Sequence, residues 1–447
     1  MDKIEAKILK IIDEHRQQII DFAEDIYQYP ELGYKETRTA GKIFELLQEI
    51  TAKAEKNLAI TGVKAYLKEP QQNEINLALI GELDAVSSPH HAYADKTTGA
   101  CHACGHHCQL AGMIGAALAL ADEEIKNSLT GNVTFFAVPS EEYGEVEFKL
   151  NLKEKKLIKY GGGKSELLRI GAFNDIDIAI THHSRPGSDD VVVGDRLSNG
   201  FVSKVIRYKG RAAHAAANPH LGVNALNAAA LGLNALAMQR ETFQDKDMVR
   251  IHTILTKGGS LVNVIPEEVV IESLVRANNV KAIEDASKKT DRAFEAGALA
   301  LGANLEIYTS PGYLPIIPRT PSRDILDVAN MILPQGTIRT TRSDESSAGS
   351  SDVGDLTHVM PVLTFETGGV SGDLHSKDFK ITNKDIAYIA TAKIMALTAY
   401  RLLKENAEKA KNIKKDFKPS FSIEEYKKHM DQFESILKKN FSNQQNF

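Results

Sequence analysis

Cys101-His102-Ala103-Cys104-Gly105-His106-His107-Cys108 gathers all three cysteines of a 447-residue chain, and three of its fourteen histidines, into one short stretch. Thiolate and imidazole are the ligands that hold Zn²⁺ and its first-row neighbours, so the stretch reads as a metal site. Gly105 lets the backbone turn sharply enough for Cys104 and His106 to face one ion. Two kinds of molecule are compatible with it. If Cys101, Cys104 and Cys108 close on one ion with a histidine, using the C-x-x-C spacing of Cys101 and Cys104, the segment is a structural zinc knuckle of a non-catalytic binding protein. If only part of it binds, the remaining ligands come from elsewhere and the fold must carry them to a common edge.

The flanking sequence supplies such an edge. Ile75 to Ile80 is an apolar run closed by Gly81-Glu82-Leu83-Asp84, Val133 to Val138 ends at Pro139-Ser140-Glu141-Glu142, and Ile176 to Ile180 ends at Thr181-His182-His183. Buried parallel strands read as continuous apolar runs, and sites in open α/β sheets lie outside the carboxyl ends of the strands. Asp84, the Glu141–Glu142 pair and the His182–His183 pair should therefore converge. A closed knuckle leaves these groups without a role, whereas a catalytic site needs ligands from several strand ends and an open position. Consecutive carboxylates also permit two roles, one binding metal and the other exchanging a proton with the water that the metal acidifies.

Helical periodicity runs from Ile4 through Ile26, from Thr39 to Ile50 and from Leu110 to Ala121. Between about Leu197 and Tyr313 the texture changes to strand Phe201–Tyr208, helix Gly222–Met238, strands Met248–Leu255 and Val269–Val275, helix Val280–Ala300 and strand Asn304–Tyr308. That βαββαβ order is a ferredoxin-like unit inserted into an α/β chain. The α/β texture then returns, with a helix near Ser322 to Leu333, a strand Val362–Phe365 and a helix from about Asn383 to Lys404, and a last helix is expected at Ile423–Lys438. A net charge of −5 with interspersed signs gives no basic field for nucleic acid. No apolar run approaches the roughly 20 residues of a membrane span and no signal-peptide pattern opens the chain, so a cytoplasmic protein with reduced cysteines is expected.

With these pieces in place the chain resembles the M20 metallopeptidases, most closely the amidohydrolase branch of aminoacylases, auxin-conjugate hydrolases and aminobenzoyl-glutamate hydrolases. The resemblance is carried by Tyr29-Pro-Glu-Leu-Gly33 with Glu36, Gly81-Glu-Leu-Asp-Ala85, His102-Ala-Cys-Gly-His106, Ser140-Glu-Glu142, Gly161-Gly-Gly-Lys164, Gly210-Arg-Ala-Ala-His214, Asn263-Val-Ile-Pro266, Ser351-Asp-Val-Gly354 and Leu374-His-Ser376. It implies an α/β catalytic domain with a mixed sheet and helices on both faces, built from 1–196 and 313–404, and a lid and dimerisation domain at 197–312. Residues 405–447 fall outside the family pattern and are expected to be a helical extension.

The resemblance also implies two divalent metal ions, Zn, Mn, Co or Ni, held by Cys104, His106, Glu142, His183 and His375, with Cys104 standing where other branches use a bridging aspartate. Glu141 is then the general base and acid, and Asp84 completes the catalytic set by orienting a ligand. His214 reaches the scissile carbonyl or the substrate carboxylate, often across a dimer interface, while Asn263 and Arg276 meet the substrate carboxylate. The implied reaction is hydrolysis of the amide bond of N-acyl amino acids or small dipeptide-like substrates by a homodimer, with free dipeptides as the alternative. Two departures stand out: His107 replaces the branch's Asp or Asn, and Glu82 stands where peptidase branches often place a metal-binding histidine.

Overall fold

The strand Asn76–Glu82 is buried along its whole length, and its side chains divide by parity between two cores. Leu77 and Leu79 join one cluster with Val133, Phe135, Ile178 and Ile180, while Ala78 and Ile80 join another with Phe136, Val138 and Ala179. Period-two alternation with both faces apolar is what a sheet covered on both sides requires. The computed structural model describes residues 1–441 and contains that sheet. Its eight strands run in the order Lys53–Leu58, Gly62–Tyr66, Asn132–Val138, Asn76–Glu82, Ile178–Ser184, Val362–Thr367, Val191–Val193, Ile338–Thr340. The four central strands from Asn132–Val138 to Val362–Thr367 are mutually parallel, and antiparallel pairs flank them, so the sheet is mixed.

One face is covered by the helix His106–Leu120, over which Thr391–Leu403 and Arg16–Gln28 pack. Small residues set this spacing: a Cβ on Gly115 would stand 2.6 Å from Ala392 Cβ, and one on Gly112 2.5 Å from Thr391 Cγ2. The opposite face is covered by Gly163–Arg169, Val353–Val359 and Ile423–Asp431. The helical stretch Asp385–Leu403 is long and apolar enough to cross a membrane by length and composition, contrary to the sequence reading, yet 83% of its most apolar window is buried inside the protein. The single helix expected from Ile4 to Ile26 is two, Lys3–Glu14 and Arg16–Gln28, broken at His15.

The inserted segment forms a second sheet. Gly200–Lys209, Arg250–Lys257, Glu268–Ala277 and Asn304–Pro311 alternate with the helices Ala225–Met238 and Val280–Leu301 in βαββαβ order, all strand pairs antiparallel. The sheet has a fifth strand that the sequence did not reveal. The helix expected at Ile423–Lys438 stops at Asp431, and Ser435–Lys439 pairs antiparallel with Asn304–Pro311, placing Leu437 opposite Ile307. Tyr426, Met430, Phe433 and Leu437 keep a helical spacing, but the open edge of Asn304–Pro311 offers unpaired backbone groups that the last residues satisfy. Residues 442–447 of the expected extension lie outside the described residues.

The tail is anchored on the large sheet as well. Tyr426 is fully buried and donates to Asp355 Oδ1 at 3.0 Å, and Tyr160 donates to Asp431 Oδ1 at 2.8 Å. Removing a buried aromatic side chain typically costs about 3–5 kcal/mol. Tyr426→Ala should therefore lower stability by roughly that amount, read as a shift of the urea unfolding midpoint, and a tail that merely lay on the surface would leave the midpoint unchanged.

Candidate metal centre

The turn after Asn132–Val138 is fixed at every backbone polar group that matters to it. Ser140 adopts φ 49°, a left-handed conformation rare outside glycine, and its N–H donates to Glu36 Oε1 at 2.8 Å while its carbonyl accepts from Gly163 N at 3.0 Å. Asp84, wholly buried just beyond Asn76–Glu82, accepts from Glu141 N at 3.0 Å on one oxygen and from Glu142 N at 2.9 Å on the other. The Glu141 carbonyl accepts from the Tyr313 hydroxyl, and the Glu142 carbonyl accepts from Lys149 Nζ at 2.9 Å. Asp84 is thus a positioning residue whose carboxylate is already occupied.

The glycine in the Cys/His cluster does what the sequence suggests. Gly105 has φ 82° and caps the helix His106–Leu120, so that Cys104 and His106 flank the start of the helix and reach the strand ends. Cys104 Sγ lies 3.3 Å from His183 Nε2 and 3.3 Å from His375 Nε2. Strand alternation sends His183 toward Cys104 and His182 the other way, onto the Thr367 hydroxyl at 2.7 Å. His183 Nδ1 sits 2.8 Å from the Ser184 carbonyl and His106 Nδ1 2.8 Å from the Asp84 carbonyl, which fixes both rings with Nε2 facing the site. His375, at φ 63°, donates its backbone N–H to Ala103 O at 2.9 Å and places Nε2 2.9 Å from Glu142 Oε1.

These residues fall into three groups whose donor atoms lie within 4.8 Å of one another: Cys104 with His106 and His183, Cys104 with Glu142 and His375, and Glu82 with His106 and Glu141. The first two ligand sets share the thiol. His106 Nε2 and Glu142 Oε1 are both buried, and each faces one other donor atom of the cluster, Glu82 Oε2 at 3.1 Å and His375 Nε2 at 2.9 Å. The soft, borderline and hard donors present fit a divalent transition metal. Burial and the Glu142 charge push the Cys104 thiol well above its ordinary value. Burial would raise Glu142 too, but the His375 imidazole beside it holds that carboxyl down at about 2.

A cavity of about 860 Å³ opens over these groups, lined among others by Glu141, His183, Arg276, Tyr313, Glu366 and His375. Arg276 reaches it from Glu268–Ala277 of the second sheet, its Nε buried without a partner and its guanidinium 5.6 Å from the Phe201 ring. His214 and Asn263 are not brought in. Both are exposed on the inserted unit, where His214 Nδ1 accepts from Ala216 N and Ala217 N at 3.2 and 3.0 Å, and neither lines the cavity of its own chain.

Comparison with known proteins shows the family. The model of peptidase family M20/M25/M40 matches residues 78–401. The chain belongs to this family. Among curated relatives, the M20 chain is 26% identical to the mouse (Mus musculus) Xaa-Arg dipeptidase over 435 residues, covering 94% of this chain and 93% of that protein. It is 27% identical to the N-acetyl-L-cysteine deacetylase of Bacillus subtilis over 408 residues, covering 88% and 90%. A putative aminohydrolase of methicillin-resistant Staphylococcus aureus shares the fold with a TM-score of 0.65 at 20% identity, over 90% of this chain and all of the other. A Bacillus subtilis protein described as a dinuclear metal binding peptidase of the M20 family superposes with a TM-score of 0.59 at 21% identity, over 88% and 99%. The M20 chain is accordingly a metal-binding hydrolase of amide or peptide bonds.

The rest of the Cys/His cluster is structural in this M20 chain. Cys101 and Cys108 are fully buried in the apolar core and belong to neither ligand set. Burial pushes His102 down to about 3 and lowers His107 as well, so both sit neutral, with His107 stacked on Tyr27 at 4.6 Å.

Glu82, ambiguous in sequence, accepts from Lys164 Nζ at 2.5 Å and from Gln109 Nε2 at 2.7 Å, and its Oε2 lies 3.1 Å from His106 Nε2. Lys164 is fully buried and also bonds Asp352 Oδ1 at 2.5 Å. Sequence reasoning placed Lys164 and Asp352 in motifs without giving them a task, because a lysine in a glycine-rich turn shows nothing of a partner 188 residues away. Breaking a buried ion pair from one side leaves uncompensated charge and costs about 3–5 kcal/mol. Lys164→Met should be destabilised by about that much in chemical unfolding, and adding Asp352→Asn should recover part of the loss; equal stability of Lys164→Met and wild type would refute the assignment.

Proposed function

We propose that this M20 chain hydrolyses the amide bond of N-acyl amino acids or small dipeptide-like substrates, with Glu141 carrying the proton. The observation that supports it most is the position of Glu141: a buried carboxylate on the rigid turn beside two ligand sets that share Cys104. Burial and the charges of Glu82 and Glu142 push the Glu141 carboxyl well above its ordinary value, the direction suited to a group that takes up a proton and hands it on.

In this reading Cys104, His106, Glu142, His183 and His375 hold two divalent ions, of zinc, manganese, cobalt or nickel. When bound, such ions polarise the scissile carbonyl and lower the pKa of a water molecule. Glu141 accepts the proton of that water and delivers it to the departing amine. Arg276, at the cavity wall with its Nε buried and unpartnered, pairs with the free carboxylate of the substrate. A second copy of the chain is part of the proposal. His214 and Asn263 lie on an exposed face with Leu261, Val262 and Ile254 beside the unpaired edge of Arg250–Lys257, and a homodimer through that face would cover the apolar patch. From the partner, His214 would reach the scissile carbonyl and Asn263 the substrate carboxylate, as the family resemblance implies.

The likeness to the Xaa-Arg dipeptidase favours a second reading, cleavage of free dipeptides. Initial rates on matched N-acetylated and free dipeptides separate the two, and the first reading expects the N-acylated series to be preferred. General acid–base catalysis contributes about 10²- to 10⁴-fold, so Glu141→Gln should lose at least that much in kcat. Metal analysis of the variant should still return two ions per chain. A Glu141→Gln enzyme that keeps full metal-dependent turnover would overturn the mechanism. Prolonged chelation should abolish activity, and re-addition of a divalent ion should restore it.

A further inference from the structure

The chain enters the inserted unit through Asn199–Phe201 and leaves it through Pro311–Leu314; the leaving connection is hydrogen-bonded to the catalytic turn, and the entering one packs against it through the Phe201 ring. Tyr313, in the leaving connection, is buried and donates its hydroxyl to the Glu141 carbonyl. Tyr143, the residue after Glu142, returns the link by donating to the Pro311 carbonyl at 3.1 Å while accepting from Ser203 Oγ at 3.2 Å. The two connections are tied to each other by Phe201 N to Tyr313 O at 2.8 Å and Gly312 N to Phe201 O at 3.2 Å.

The rings of Tyr143, Phe201 and Tyr313 meet edge to face, with centroids 4.7, 5.0 and 5.6 Å apart. Nothing beside them yields easily: a Cβ on Gly161 would stand 2.2 Å from the Tyr143 hydroxyl, and one on Gly162 2.3 Å from Tyr313 Cε1. The turn that bears Glu141 and the two connections of the second sheet are therefore packed as one block.

We propose that Tyr313 and Tyr143 are positioning residues that couple the orientation of the inserted sheet to the placement of Glu141. The inference rests on the reading of Glu141 as proton carrier. Asp84 holds the Glu141 peptide by its N–H from the large sheet, and Tyr313 holds the carbonyl from the connection, so the two ends of one residue are gripped by different parts of the molecule. Without the phenol the Glu141–Glu142 peptide keeps its N–H bond to Asp84 but loses the anchor on its carbonyl, and can rock about that remaining bond. A displacement of about 1 Å in a catalytic group costs on the order of a hundredfold in rate.

The test replaces only hydroxyls. Tyr313→Phe keeps the ring packing and should lower kcat by about 10- to 100-fold, with KM within about twofold and metal content unchanged. Tyr208→Phe is the control: its buried hydroxyl donates to Phe294 O at 2.7 Å inside the inserted unit, so it loses a comparable hydrogen bond away from the turn. It should match the thermal destabilisation of Tyr313→Phe and keep kcat. Tyr143→Phe should lower kcat in the same way, and the double variant should fall no further than the worse single one, because both substitutions break one linkage.

A loss of kcat in Tyr313→Phe no larger than in Tyr208→Phe overturns the proposal, and so does a rise in KM at constant kcat, which would mark a substrate contact instead. If Tyr313→Phe does not fold, Tyr143→Phe decides by the same readings. Absence of amide hydrolysis in the wild-type enzyme would refute the functional reading itself, whereas an active wild type with an indifferent Tyr313→Phe refutes this inference alone.

Discussion

The two oxygens of Asp84 accept the amide protons of Glu141 and Glu142, and the rest of the site follows from that grip. Asp84 leaves the end of one central strand and the glutamates leave the end of its parallel neighbour, so the bonds tie two strand termini that would otherwise diverge under sheet twist. A buried carboxylate accepting two backbone N–H groups is satisfied without a cation. The Asp84 backbone carbonyl, 2.8 Å from His106 Nδ1, orients that ring. One acidic residue sets the backbone of two glutamates and the ring of an imidazole.

The same turn is where the two sheets meet. Tyr313 and Tyr143 join it to the connections of the inserted unit, and the C-terminal tail joins the two bodies a second time, from Tyr426 on Asp355 to the strand Ser435–Lys439 on Asn304–Pro311. Asp355 also accepts from Leu314 N at 3.2 Å, immediately after Tyr313. Connection and tail thus share one buried carboxylate, and the orientation of the second sheet over the cavity is held at both ends.

How far the residue pattern discloses this molecule depends on the range of the interaction. The central strands and the βαββαβ insertion are legible because burial on two faces imprints continuous apolar runs and burial on one face imprints alternation. Cys104, Glu142 and His183 are legible as a group because each stands at a strand end or helix start, where side chains converge by topology. Lys164 with Asp352 is not, since a pair separated by 188 residues leaves no local trace. The fifth strand is hidden for a different reason: helical spacing from Tyr426 to Leu437 competes with an unpaired sheet edge, and tertiary pairing wins after Asp431. His214 and Asn263, which the family resemblance places at the site, stay outside the cavity of a single chain, because their loop lies on the exposed face of the inserted unit.

The charge balance of the centre turns on Glu82 and Lys164. Glu82, Asp84, Glu141, Glu142 and Asp352 are crowded with Cys104 into one desolvated volume, where unpaired charge is costly. The protein compensates them in two ways. Glu82 and Asp352 share Lys164, a cation fixed in place by the chain itself, and Asp84 is neutralised by amides. Cys104, Glu142 and the ring nitrogens of His183 and His375 receive no such fixed cation beyond one another. Glu82 nonetheless keeps Oε2 3.1 Å from His106 Nε2, and with Glu141 these two form a third group of closely spaced donors. Lys164 thus offsets the Glu82 charge at Oε1, while Oε2 stays turned toward Gln109 and His106.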